Sequence, residues 1–420
     1  MQQEELGLWY ISKAYTYFNE AQRYNLSFRY PESVVCAYES IEFSLKAMCK
    51  LLDVEYNRKE HFLDAATLVK LAEKIGRELR PEMKDQLLTI LPVILGYTEE
   101  LRNICRYGID RQGVPPVSPK NIFGKMHCER VLRDADWLCD MLHQVDMRRR
   151  WKGGKPVKFG VLNGYVENPE GEIRCTKYIW TTSKADFWVN YFSSLKDVDG
   201  KRKYDVKEIK ASEIDNSFAV ILNPFGEAYP EYSADIKPVY NIIRDYIRNG
   251  GIFVNTAGFP FFYAWIVSVG EEKPISEEKL LLPMPADEME GRTFLLQLIR
   301  FTGTLYYKDF GAITTCDTKA HKGAVRVKPF QTDEDEEKFG NLVKGIEEIT
   351  EFRALRKGVP NCIPIVRALR DDLGEVYPIS ALKFGRGFLL VAAMGMTNDK
   401  ECELFAKAVD SFCNWISQNV

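Results

Sequence analysis

The chain is short of the residues that usually announce a catalytic or metal-binding class. Its 420 residues include four histidines: His61, His127, His143 and His321. His127 and His143 lie in one helical stretch and share no motif. The ten cysteines stand singly at Cys36, Cys49, Cys105, Cys128, Cys139, Cys175, Cys316, Cys362, Cys402 and Cys413, with no CxxC pair and no histidine at ligand spacing. That spacing excludes the usual zinc frameworks, and no metal or cofactor is expected. The thiols read as buried, because an unpaired cysteine behaves as a small hydrophobe. Charge of one sign is also missing. A formal net charge of -3 gives no footprint of a dedicated duplex-DNA binder, so any nucleic-acid contact must come from a local patch. Long apolar runs are absent as well. FLLVAAMGM at 388–396 is far short of a membrane span, and MQQEELGLWY has neither a basic nor an apolar leader region. A cytoplasmic protein without a membrane partner is expected.

What is present is an ordinary globular balance, 45% hydrophobic and 28% charged, in a chain long enough for two or three domains. The fold class expected is multidomain, α followed by α/β. Up to residue 148 apolar residues recur at helical spacing and glycine is scarce. The pattern predicts helices over 6–28, from Pro31 through VVCAYESIEFSLKAMCKLL, over FLDAATLVKLAEKI, over 84–107 with Pro92 kinking or breaking it, and over 122–148. Successive helices with short loops imply an antiparallel bundle. RRRWKGGKP, reaching residue 156, reads as a linker, taken over 149–156.

From 157 to 420 the period changes. VKFGVLNGY, YDVKEI and FAVILNP read as strands, SKADFWVNYFSSL and DIKPVYNIIRDYIRNGG as helices, and IFVNTAGFPFFYAW as a strand entering a turn. This alternation implies a parallel sheet covered on both faces. An insertion over about 271–385 departs from it, with a helix at FLLQLIRF. Turns at Asp371–Gly374 and Phe384–Gly387 suggest an antiparallel extension of the sheet, and a helix over 400–418 closes the domain. The acid run TDEDEEKFG at 332–340 reads as a solvated loop or helix start.

The motif LRNICRYGID, residues 101–110, ends the fourth helix. Residues four apart share a helical face, which sets Arg102 over Arg106 and Asn103 over Tyr107. The patch could hold a phosphate, with the two arginines as clamps. It could equally be structural, with Glu42 of the second helix pairing Arg102 or Arg106 and Tyr107 capping the core. Together with Tyr30-Pro31, Ala37, Glu42, Lys46 and His61, the motif resembles the HEPN family over the first 145 or so residues. The resemblance implies a homodimer through the bundle. It also implies either a metal-independent ribonuclease or a protein that only binds RNA or nucleotides. Active members have a histidine four to six residues after the arginine, and the window here holds Tyr107, Gly108 and Ile109. Catalysis by Arg102, Asn103 and Tyr107 would then lack its proton carrier, since a phenol with a pKa of ~10 does not exchange protons near neutrality.

GVLNGY, ILNPFGEAYPE, YIRNGGIFVNTAGFPF and FGRGFLLVAAMG resemble, in order, the class I glutamine amidotransferase-like fold, in particular its ThuA-like and trimerisation-domain branches. The elbow that would carry the nucleophile reads Thr256-Ala257-Gly258-Phe259-Pro260, without Cys or Ser, and His321 is the sole histidine beyond the linker, so no triad is legible. The strand ends gather Asn163, Asn223, Gly226, Glu227, Tyr229, Asn255 and Gly258, expected to bind a polar small molecule. The alternative is that Glu227 caps a helix or pairs with an arginine while Tyr229-Pro230 shapes the loop. The function expected is a non-catalytic or weakly catalytic RNA- or nucleotide-associated regulator. The alternatives are a ribonuclease, or a small-molecule sensor or scaffold whose bundle only dimerises.

Overall fold

A computed structural model describes residues 3–57, 63–108, 117–152, 155–162, 185–232, 236, 238–258, 260–261, 263–266, 309–315, 324–396 and 398–419. The chain divides into two compact units, Met1–Gly153 and Gly154–Asn419. The first is helical: α1 (Gln3–Leu26), α2 (Tyr30–Leu51), α3 (Ala65–Glu78), α4 (Pro81–Tyr107), the one-turn α5 (Pro119–Ile122) and α6 (Lys125–Lys152). Its core joins Ile11, Ala14 and Phe18 of α1 to Ala37, Ile41 and Leu45 of α2 and Val131, Leu138 and Leu142 of α6. Small residues let α1 and α2 approach closely. Their hydroxyls stay bonded there: Ser33 donates to the Ala21 carbonyl at 2.6 Å and Ser40 to that of Ala14 at 2.8 Å.

Two expectations change. Pro92 does not break the fourth helix. Leu87 and Leu91 before it and Ile94 and Leu95 after it all enter the core, so packing holds both halves in register against the one hydrogen bond that proline removes. The expected linker is shorter, because α6 continues to Lys152. Arg150 pairs with Asp146 one turn back, and the basic residues of RRRWK suit the negative end of the helix dipole. Of the described cysteines, Cys36 and Cys362 are half-buried and the other six are buried. Burial pushes the Cys49 and Cys105 thiols up to about 12.

The second unit contains β1 (Val157–Leu162), α7 (Ala185–Ser194), β2 (Tyr204–Ile209), β3 (Val220–Asn223), β4 (Ala228–Glu231), α8 (Pro238–Arg248), β5 (Ile252–Asn255) and β6 (Tyr263–Ile266). There follow β7 (Val325–Val327), β8 (Pro329–Phe330), β9 (Ile349–Glu351), β10 (Leu355–Arg356), β11 (Cys362–Arg370), β12 (Gly374–Phe384), β13 (Gly387–Ala392) and the C-terminal helix Asp399–Gln418. The main sheet runs β2-β1-β3-β5-β13-β12-β11-β8, with β10 beside β12. It is parallel from β2 to β13 and antiparallel beyond, so the expected extension is present. The all-buried β3 and β5 reflect helices on both faces. On one face Phe159 of β1 stacks on Phe192 of α7 at 4.4 Å, and Trp188 meets Phe405 of the C-terminal helix edge-on. On the other, Ile243 and Ile247 of α8 pack with Phe253 and Leu389. The helix expected at FLLQLIRF lies outside the described residues.

The acid run begins a short helix, Asp333–Phe339, with a reciprocal cap between Thr332 and Asp335. Asp335 is not solvated. It is 3% exposed and accepts two hydrogen bonds from Arg367, at 2.6 and 3.1 Å. Burial opposes ionisation of Asp335, but the bonds from Arg367 and Thr332 outweigh it and hold the carboxyl below its ordinary value. A depressed pKa stabilises the fold above the unfolded-state value of about 3.9 and ceases to do so as pH falls through the lower folded value. Thermal unfolding of Asp335→Asn should therefore be shifted down at pH 6, with the difference from the parent narrowing below about pH 4; a constant difference would show that the charge is not what matters.

Candidate functional site

Arg102 and Arg106 stand one turn apart on α4 and converge on a single carboxylate. Arg106 Nη2 donates to Glu39 Oε1 at 2.5 Å, and Arg102 Nη2 lies 3.9 Å from the same oxygen. Arg102 is 8% exposed, with its guanidinium 4.5 Å from the centre of the Tyr38 ring, a distance at which the π face attracts the cation. Its Nε is buried and has no hydrogen-bond partner among the described residues. Two cations therefore share one anion, and one of them retains an unanswered buried donor. Asn103 is exposed beside them, while the side chain of Tyr107 and all of His61 lie outside the described residues.

The carboxylate differs from the one expected. Glu42 does not reach either arginine; it pairs with Lys46, one turn along α2, at 2.5 Å. That pairing was legible, since Glu followed by Lys at i+4 is the favoured order on a helix. It leaves Glu39, which shares a face with Cys36, as the acid facing α4. Glu39, Tyr38 and Tyr17 are the members of the patch that motif reading missed.

The hydroxyls and thiol around the arginines are poorly suited to proton transfer. Burial raises Tyr17, helped by Glu39, Cys36 and Glu20 and opposed by Arg106. Burial likewise raises Tyr38 against the pull of Arg102, and it pushes Cys36 up to about 12 with Glu20 and Glu39 adding to the shift. General acid-base work near neutrality needs a group poised close to the working pH. These groups are moved away from it.

In the second unit Asn223, Gly226, Glu227, Tyr229, Asn255 and Gly258 lie at or after the carboxyl ends of β3 and β5, where Asn223 bonds to Asn255 and Gly226 while Glu227 and Tyr229 bond to residues outside the set. Asn223 and Asn255 lie in register on the two strands. Asn223 Nδ2 donates to Asn255 Oδ1 at 3.0 Å and to the Gly226 carbonyl at 3.3 Å, and Asn255 Nδ2 donates to the Ala257 carbonyl at 3.1 Å. The Gly226 N–H donates to Thr256 Oγ1 at 3.1 Å. Glu227, fully buried, accepts from Arg353 Nη1 at 2.9 Å. Tyr229 donates to Glu231, whose carboxylate accepts the N–H groups of Tyr232, Val239 and Tyr240 and so caps α8. The cluster can thus knit the turns together without a ligand. Asn163 and His321 lie outside the described residues.

Gly258 tests how tightly this cluster is closed. It has φ +64, and a Cβ built there would sit 2.5 Å from Glu227 Oε1. Gly258→Ala should lower unfolding stability by roughly 1–3 kcal/mol in denaturant titration, the usual cost of holding a side chain in the left-handed region. A loss within that range would mean that Glu227 gives way to the new Cβ, since the φ accounts for it by itself; a larger one would mean that Glu227 is held in place.

Among the described residues no group of three or more His, Cys, Asp or Glu is placed to hold a metal, and no helix is long and apolar enough to cross a membrane. No family model matches the chain, and no curated protein matches it. Among solved structures, a beta-galactosidase from Bacillus circulans sp. alkalophilus is similar over 69% of this chain and 35% of that one, at 12% identity and a TM-score of 0.32. A beta-galactosidase from Rahnella sp. R3 matches 73% of this chain and 38% of that one, at 11% identity and a TM-score of 0.33. The exo-beta-1,4-mannosidase Op5Man5 from Opitutaceae bacterium strain TAV5 matches 90% and 55%, at 8% identity and a TM-score of 0.29. The chain spans between about a third and a little over half of the length of these structures, and likeness at these scores carries no argument about activity.

Proposed function

We propose that this protein is an RNA- or nucleotide-associated regulator whose helical unit holds phosphate through Arg102 and Arg106 without turning it over. The observation that carries it is the Arg102 Nε, buried and without a hydrogen-bond partner among the described residues, beside a second arginine that shares the same single carboxylate. A phosphate oxygen would supply the missing acceptor and the missing negative charge. The raised Tyr17, Tyr38 and Cys36 support binding over cleavage.

The resemblance of the first unit to HEPN domains brings with it a two-fold homodimer, which sedimentation velocity would check. For the second unit we propose an amidotransferase-like scaffold. Its five parallel strands, taken in chain order, follow the sequence 2-1-3-4-5 across the sheet, the flavodoxin-like order. The bonds at its strand ends, of Asn223 to Asn255 and Gly226 and of Arg353 to Glu227, favour a structural role for that unit over ligand sensing.

The test is anisotropy titration of a short labelled RNA at low salt, with the RNA recovered afterwards and sized on a gel in the presence of EDTA. Binding without cleavage is expected. Absence of binding would remove the phosphate function, and metal-independent cleavage would replace it with the ribonuclease alternative.

A further inference from the structure

Beyond the arginine pair, one face of the first unit carries a line of aromatic rings at the rim of the core, with Phe43 packed against it, Tyr17 half-buried and Trp9 exposed. Trp9, Lys13 and Tyr17 follow one another at i, i+4 and i+8 on α1, about 12 Å along the axis at 1.5 Å per residue. Trp9 is 44% exposed. Phe43 of α2 stands between the two outer rings. Trp9 meets it edge-on at 5.7 Å, and Tyr17 stacks on it at 5.5 Å with an interplanar angle of 1°. The Lys13 ammonium lies 5.6 Å from the centre of the Trp9 ring. Phe43 then joins this line to the arginines, since it lies one turn from Glu39 on α2, the carboxylate that Arg106 bonds at 2.5 Å. The order along the face is ring, cation, ring, then two guanidiniums.

We infer that this stripe binds single-stranded RNA, the exposed Trp9 ring taking an unpaired base while Lys13, Arg106 and Arg102 take phosphates. The inference rests on the phosphate function proposed for Arg102 and Arg106 and adds to it a preference for strand over duplex. Its physical basis is that a stacking surface is useful only to bases whose faces are free. In an A-form duplex those faces are buried against neighbouring pairs, and the protein meets sugars and phosphates instead. The charge on it also suits a nucleic acid strand, because the cations interleave with the rings in the way that lets one chain be stacked and neutralised together.

The experiment compares a short labelled RNA strand with the same sequence annealed as a duplex, using the full chain, Trp9→Ala and Trp9→Phe. The expected result is tighter binding of the strand by the parent. Trp9→Ala should weaken strand binding roughly 5- to 150-fold, the cost of one stacked base, and leave duplex binding and the salt dependence unchanged. Trp9→Phe should restore most of the loss, which separates stacking from a folding defect. Equal binding of strand and duplex, indifferent to Trp9→Ala, would overturn the stripe while leaving the arginine pair as a phosphate site. Binding of neither RNA would overturn both.

Discussion

The double variant Arg102→Ala, Arg106→Ala is expected to weaken binding of a labelled RNA strand by about 100-fold or more. Each charge-assisted hydrogen bond to phosphate contributes roughly 1.5–3 kcal/mol, and two are removed, so the loss is at least two factors of ten. The salt dependence should change with it: the slope of log affinity against log salt should become shallower by about 1.4, at ~0.7 per phosphate contact on a single strand. Glu39 would add to the loss, because without its two partners it faces the phosphate as an unneutralised anion. Replacing both residues by lysine should give an intermediate affinity. Lysine keeps the charge but not the planar fork, nor the stacked guanidinium that Arg102 lays over Tyr38. Arg106 is exposed and Arg102 sits at the edge of the bundle core, so circular dichroism should report a folded double variant. An unchanged affinity and slope in that folded protein would exclude the pair from RNA binding.

Arg370→Met is expected to be the most damaging single change to the second unit, costing roughly 3–5 kcal/mol. Arg370 and Glu351 are 1% and 0% exposed at the side chain and bond at 2.7 Å. Arg370 also grips both oxygens of Asp372, at 3.0 and 2.8 Å. Glu351 in turn accepts from Thr315 Oγ1 at 3.0 Å and from the Ala354 N–H at 2.9 Å. The network ties the end of β9 to the turn between β11 and β12. Methionine fills much of the volume but leaves Glu351 charged in a site closed to water, and an uncompensated buried ion is what makes such truncations severe. The melting temperature should fall by roughly 6–20 °C, at ~2–4 °C per kcal/mol for a unit of this size. Adding Glu351→Gln should recover part of the loss, because it removes the orphaned charge while keeping an acceptor for Thr315 and Ala354. A single variant as stable as the parent would mean that water reaches the pair.

Much of the architecture was written in local pattern. The 3.6-residue period up to 148, the alternation after 157, and Gly108 and Gly250, which end helices at positive φ, are short-range signals that survive without knowledge of the partner. Element ends and interruptions are harder to read from spacing alone. RRRWK reads as a linker because charge and glycine adjoin, although the signal that keeps it helical is local, Asp146 one turn before Arg150 on the same helix. Pro92 looked like a break because its cost is local while the packing that offsets it comes from other helices.

The sequence by itself determined the two kinds of unit, the pairing of Arg102 with Arg106 on one helical face, and the absence of a histidine in the window that follows them, since all three follow from spacing along the chain. Only the tertiary structure decided that Glu39 and not Glu42 answers the two arginines, that Arg353 from 126 residues away closes over Glu227, and that Asn223 bonds Asn255 across adjacent strands. The reason is physical. Whether a polar side chain is a site or a strut depends on what fills its hydrogen bonds, and that partner is chosen by packing between distant segments.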